Sequence, residues 1–323
     1  MKYIYSLLII GVVATISLSI YSFIQAQQAD QEITEKSATT EQMPAYHFVL
    51  IGEEMDHDYW KLVGEGAQDT EEKYDVAIEY NGPRRSNPDE QLKLLDMAIK
   101  SKVDGIIVQA LNDDFLPVID KAVEQGIPVI TIDTDAPESR RSAYIGTDNY
   151  QAGRQAGEQL LNDLSPDEKV GIITGSFTND HHKLRVEGFR DVVEEEGVDI
   201  VAIEESNISR TTAEGKAYSM LRDHPEITAL YGTSALDGIG MVAAIESLDI
   251  QDDLYVMAFD TLEENLQLLA QEKIDVLVQQ QFYNIGYTSV ELMLDVMEGK
   301  DVQDTYYTPI DFLKKEDLGD AYD

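Results

Sequence analysis

The chain has 323 residues, with 62 Asp and Glu against 24 Lys and Arg, a formal net charge of -38. A surplus of that size repels phosphate backbones and anionic lipid head groups, which excludes nucleic acid as a partner. There is no cysteine, which excludes disulfides, thiolate metal sites, a cysteine nucleophile and a lipid-modified cysteine anchor.

After Met1-Lys2 comes an uncharged, mostly aliphatic run over residues 3–28. Its apolar centre of about 20 residues is long enough to cross a bilayer. An uncleaved anchor and a cleaved signal segment both fit. Cleavage after Ala26 puts Ile24 where a small side chain is preferred, which favours the anchor. Lys2 in front and Asp30, Glu32 and Glu35 behind leave the rest extracytoplasmic, held to the outer face of the membrane or secreted if the segment is cut. Residues 29–44 have no apolar period and read as a flexible stalk.

From residue 46 onward, short apolar runs alternate with amphipathic stretches, the pattern of repeated strand and helix units around parallel sheets. The expected strands are 46–51, 76–80, 105–109, 128–133, 170–174, 200–204, 229–231, 254–259 and 276–280. Helices are expected over 91–101, where Leu92, Leu95 and Ile99 share a face, and over 185–196, where Val186, Phe189 and Val193 do. More than about 250 residues is too many for one core, so two lobes are expected.

Ligands of open parallel sheets bind beyond the carboxyl ends of the strands. Polar residues recur there: 53–57, Gln109 with Asn112, Asp133 with Thr134, 176–180, Ser206 with Asn207, Thr233 with Ser234, Asp260, and 279–281. Each alone is a common cap or turn former, and the recurrence carries the signal. Enzyme signatures are missing: no P-loop, no G-x-S-x-G, and acidic Gly52-Glu53-Glu54 where a dinucleotide site needs glycines. His181-His182 beside Asp180 suggests a metal site or a general base, against an exposed or capping role at a helix start, which is the expectation here. His57 between Asp56 and Asp58 is a weaker metal candidate. Neither a metal nor a cofactor is expected, and the apolar run occupies the place where a helix-turn-helix would stand.

Several segments resemble, in order, the type I periplasmic sugar-binding proteins, particularly the ribose-binding type, which are related to lactose-repressor-type effector domains. They are His57-Asp58-Tyr59-Trp60 with Gly66-Ala67-Gln68; residues 126–133; residues 145–153; Arg185-Val186-Glu187-Gly188-Phe189; Ala258-Phe259-Asp260; and Gln280 ahead of Ile285-Gly286. The resemblance covers nearly all of 46–313 and implies two Rossmann-like α/β lobes with parallel sheets, joined by three crossovers. Lobe I is then 45–147 plus 281–305, and lobe II 148–280 plus 306–316. It further implies a sugar enclosed in the cleft, stacked on aromatics and hydrogen-bonded at each hydroxyl, a chemistry that suits an apolar ring face with a polar rim.

Carried over by position, the resemblance puts Tyr59 and Trp60 on the aromatic pair of the first loop and Asp133 on the carboxylate after the fourth strand. Arg185 or Lys183 falls on the second lobe's basic donor, and Asp260 and Gln280 on the late cleft positions. Three residues depart from the ribose pattern: His57 replaces an amide, Thr134 an arginine and Ser234 an asparagine. Arg210 stands in place of an aromatic, either as a new donor or in a shifted loop. Pentose, hexose and inositol all stay open. The implied protein is a receptor, monomeric when soluble, that closes on a sugar or polyol and is recognised by an ABC permease or a membrane sensor kinase.

Overall fold

The computed structural model describes residues 44–165, 167–250 and 254–319. The anchor or signal segment at 1–28 and all but the last residue of the expected stalk lie outside them. Among the described residues no helix is long and apolar enough to cross a membrane.

The first part of the chain runs β1 (Tyr46–Ile51), α1 (Asp58–Gln68), α2 (Glu71–Tyr74), β2 (Val76–Asn81), α3 (Pro88–Ser101), β3 (Gly105–Val108), α4 (Leu116–Glu124), β4 (Val129–Ile132) and β5 (Ala143–Thr147). It continues with α5 (Asn149–Asp163), β6 (Lys169–Thr174), α6 (Asp180–Glu195), β7 (Asp199–Glu205), α7 (Arg210–Asp223), β8 (Ala229–Gly232), α8 (Asp237–Leu248), β9 (Tyr255–Phe259), α9 (Glu263–Ala270) and β10 (Val276–Gln279). Last come α10 (Phe282–Met297), β11 (Thr305–Thr308) and β12 (Asp311–Leu313).

Two sheets result, ordered β11-β5-β4-β3-β1-β2 and β12-β10-β9-β8-β6-β7. The first is wholly parallel. The second is parallel except at β12, which runs antiparallel to β10. Apolar clusters cover both faces of each sheet, which is why β3, β4 and β8 are buried along their whole length. The chain passes between the sheets after β5, after β10 and after β11. The expected boundary at 305 is corrected here: Tyr306 pairs with Ile145 and Thr308 with Thr147, so β11 stays with the first sheet.

Glycines bring two helix pairs close enough to fix the cleft. A Cβ on Gly66 or Gly286 would strike facing backbone where α1 crosses α10, and the same holds for Gly153 and Gly188 where α5 crosses α6. The first crossing seats the start of α1, with Tyr59 and Trp60. The second seats α6, with Arg185.

Candidate functional site

The loops after β1, β4, β6, β7, β8, β9 and β10 converge on a cavity of about 40 Å³ between the sheets. Asp133 and Asp260 stand in equivalent places, each directly after a central strand and each in the left-handed region, at φ 61° and φ 76°. That region is uncommon for a residue other than glycine. Each of the two residues is 3% exposed. Asp133 accepts from the Tyr59 hydroxyl and, at 2.7 Å, from Gln109 Nε2. Asp260 accepts from Gln280 Nε2 at 2.7 Å. Burial raises the pKa of both, opposed by the Arg185 charge, and Asp260 reaches about 6.

Arg185 is 2% exposed, and each of its three guanidinium nitrogens donates one hydrogen bond. Its Nε donates to Asn149 Oδ1 at 2.8 Å, Nη1 to the Thr233 carbonyl at 2.9 Å and Nη2 to Gln280 Oε1 at 2.9 Å. The guanidinium lies 4.1 Å from the centre of the Phe259 ring, where cation–π attraction adds to the hydrogen bonds.

On the other side stand Tyr59 and Trp60, in the first turn of α1. Their ring centres are 5.1 Å apart at 65°. Both belong to the apolar cluster under the first sheet, and both also line the cavity. His57 caps the helix, its Nδ1 accepting the Tyr59 amide hydrogen at 3.2 Å. Burial lowers the His57 pKa and favours the neutral ring. With Nδ1 accepting, the proton of that ring is on Nε2, which has no protein partner. Ser234 Oγ is also without one. Both residues line the cavity.

The structure therefore gathers His57, Tyr59, Trp60, Asp133, Arg185, Ser234, Asp260 and Gln280 around one space. Thr134 sits behind it, with Oγ1 accepting from Gln109 Nε2 at 3.0 Å. Two candidates fall outside. Lys183 is half exposed and paired with Asp180, because one residue from His182 and two from Arg185 puts it on the opposite face of α6. Arg210 opens α7 beyond its Ser209 cap and pairs with Glu264 at the surface. Ile208 lines the cavity instead.

Besides Ile208, the cavity is lined by Glu53, Glu54, His181, His182 and Ala235, none of them a ligand candidate in the sequence reading. His181 and His182 are 4% and 2% exposed, with ring centres 3.9 Å apart, and burial together with the Arg185 charge holds both well below the usual histidine pKa. The exposed or capping role expected for them is corrected. Helix α6 starts at Asp180, so its first turn turns both rings inward with Arg185. Glu53 is 5% exposed, and burial with the neighbouring Asp133 and Glu54 charges raises its pKa to about 8, although the Ser86 hydroxyl opposes this. Its place at the end of β1 was the available signal. No group of three or more potential metal ligands occurs among the described residues.

Two doubly wound lobes, joined three times and closed around a polar cleft with one aromatic wall, define the type I periplasmic binding fold. The family model described as periplasmic binding protein domain matches residues 48–301. The chain belongs to that family, as a type I periplasmic sugar-binding protein, and the resemblance read from the sequence holds. It is 48% identical to the solved GanP, a glucose-galactose binding protein from Geobacillus stearothermophilus, over 85% of this chain and 99% of that one, with a TM-score of 0.83. It is 32% identical to a chain of the solved XylFII-LytSN complex, over 84% of this chain and 99% of that one, with a TM-score of 0.81. A D-ribose/D-allose-binding protein of Pseudomonas aeruginosa is 25% identical over 224 residues, 66% of this chain and 70% of that protein. GanP and the Pseudomonas protein are binding proteins, in line with the expectation of a receptor over an enzyme.

Proposed function

We propose that the chain is an extracytoplasmic receptor that closes on a monosaccharide and delivers it to an ABC permease, with residues 1–28 attaching it to the outer face of the membrane. The observation that carries this reading is the placement of Asp133 and Asp260 at matched strand ends on either side of Arg185, facing Tyr59 and Trp60. Carboxylates and a guanidinium make strong, directional hydrogen bonds to hydroxyls, and an aromatic face takes the apolar side of a sugar ring. His57 Nε2 and Ser234 Oγ add polar atoms that the protein leaves for a ligand. A hexose is the favoured sugar, supported by the 48% identity to a glucose-galactose binding protein.

Contacts from both lobes to a monosaccharide in the cleft favour closure. A second reading, a tethered sugar receptor for a membrane sensor kinase, draws on the likeness to XylFII in its complex with LytSN.

A thermal-shift panel of hexoses, pentoses, inositol, amino acids and nucleosides tests the ligand class on the full-length chain, since a ligand of the native state raises the melting temperature. A rise confined to a hexose is expected. A rise with only an amino acid or nucleoside contradicts the reading. Deleting the gene separates the partners: delivery predicts loss of labelled sugar uptake, sensing predicts loss of sugar-induced transcription.

A further inference from the structure

Asn179, Asp180 and His181 are consecutive at the start of α6, and each reaches a different loop of the facing lobe. Asn179 Nδ2 donates to Glu53 Oε1 at 2.5 Å. The Asp180 amide donates to the Leu111 carbonyl at 2.9 Å. His181 Nδ1 and Thr134 Oγ1 are hydrogen-bonded at 2.8 Å. Glu53, Leu111 and Thr134 follow β1, β3 and β4, which are adjacent in the first sheet. A single turn of the second lobe is thus stitched across three neighbouring strand ends of the first.

The donor and acceptor groups are dry and pre-set. Asn179 is 2% exposed, His181 4%, Glu53 5% and Thr134 2%. Ser176 Oγ accepts the amide hydrogens of Thr178 and Asn179 at 3.0 and 3.3 Å, which holds the turn ahead of the helix in shape. On the first lobe, the Ser86 hydroxyl donates to the same Glu53 oxygen at 2.6 Å, and Gln109 Nε2 braces Thr134. Glu53 and His181 also line the cavity, but each of these bonds joins one protein group to another across the lobes, so closure gains them with or without a sugar.

We infer that Asn179, Asp180 and His181 form an interlobe latch that favours the closed clamp through contacts independent of the sugar. The inference rests on the two-lobed receptor reading and adds to it a basal closed population set by the protein itself. That population raises sugar affinity by lowering the share of open protein the ligand must close, and it sets how often a membrane partner meets a closed receptor without sugar.

The chain has no cysteine, so Met97→Cys on α3 and Tyr218→Cys on α7, both at exposed positions, give two unique sites for spin labels on the full-length chain in detergent. Pulsed electron paramagnetic resonance then reads the interlobe distances with no sugar and with saturating D-galactose. The sugar-free parent is expected to populate the distances seen with galactose. Adding Asn179→Ala with His181→Ala removes most of that population, galactose restores it, and galactose affinity falls about tenfold, the effect of two lost neutral hydrogen bonds. Glu53→Gln keeps an acceptor for Asn179 and should keep the parent's distances. If the double variant does not fold, Asn179→Ser alone carries the same expectation in the same direction. Identical sugar-free distributions in parent and variant overturn the latch. If no sugar binds either protein, the receptor reading falls, while the sugar-free distributions still decide the latch.

Discussion

Asp133 and Asp260 are built alike and used differently. Each follows a central strand with positive φ, each accepts from a glutamine amide, and each has its backbone carbonyl bonded by an asparagine side chain, Asn149 for Asp133 and Asn265 for Asp260. Asp133 also receives the Tyr59 hydroxyl. The pairing teaches that each lobe brings the same carboxylate module to the cleft, and that the second lobe's copy is less committed to its own protein and more available to a ligand. Arg185, fixed at the crossing between α5 and α6, is a cation that both modules share.

Removing that cation breaks the comparison most severely. Arg185→Met leaves two buried carboxylates without a counter-charge, and chemical denaturation at pH 8 should register a loss of about 3 kcal/mol, with sugar binding abolished in calorimetry. Asp260→Asn is expected to weaken sugar binding about 100-fold and Asp133→Asn about tenfold, the range for hydrogen bonds to charged groups. The reverse order would show that commitment to Tyr59 does not limit Asp133.

A pH titration sharpens the difference. The folded protein holds the Asp260 proton more tightly than the unfolded chain, with a pKa of about 6 against 3.8. The associated stability is present below pH 3.8 and lost as the pH rises through about 6. Melting curves of wild type and Asp260→Asn should therefore diverge between pH 4 and 6, wild type losing ground, and run parallel above that window. The smallest effects belong to the residues the fold turned outward. Lys183→Ala and Arg210→Ala should each change sugar affinity less than about threefold, since exposed ion pairs contribute little.

Most strands were legible because their apolar runs are continuous, as β3 and β4 are. The edge strand β11, Thr-Tyr-Tyr-Thr, and the short β12 carry no such run and were not, and β5 is interrupted by Gly146. In the candidate site, Asp133, Asp260 and Gln280 were legible from their place at strand ends. Arg185 was left level with Lys183 because the resemblance places a basic donor there without fixing which of the two faces the cleft. Helical phase, once fixed, separates the two and turns His181 and His182 inward. The exchange of Arg210 for Ile208 depends on where the Ser209 cap begins α7, a boundary that a loop sequence leaves loose.

Trp60 is the sole tryptophan and lines the cavity, so its emission reports directly on the cleft. Titrating the full-length chain with D-glucose and D-galactose should produce a saturable change in that emission, with the same midpoint as calorimetry, and the change should vanish when Asp133→Asn and Asp260→Asn are combined. Saturable binding of either sugar by calorimetry with silent Trp60 emission and undiminished affinity in the double variant would contradict a sugar held between these two carboxylates.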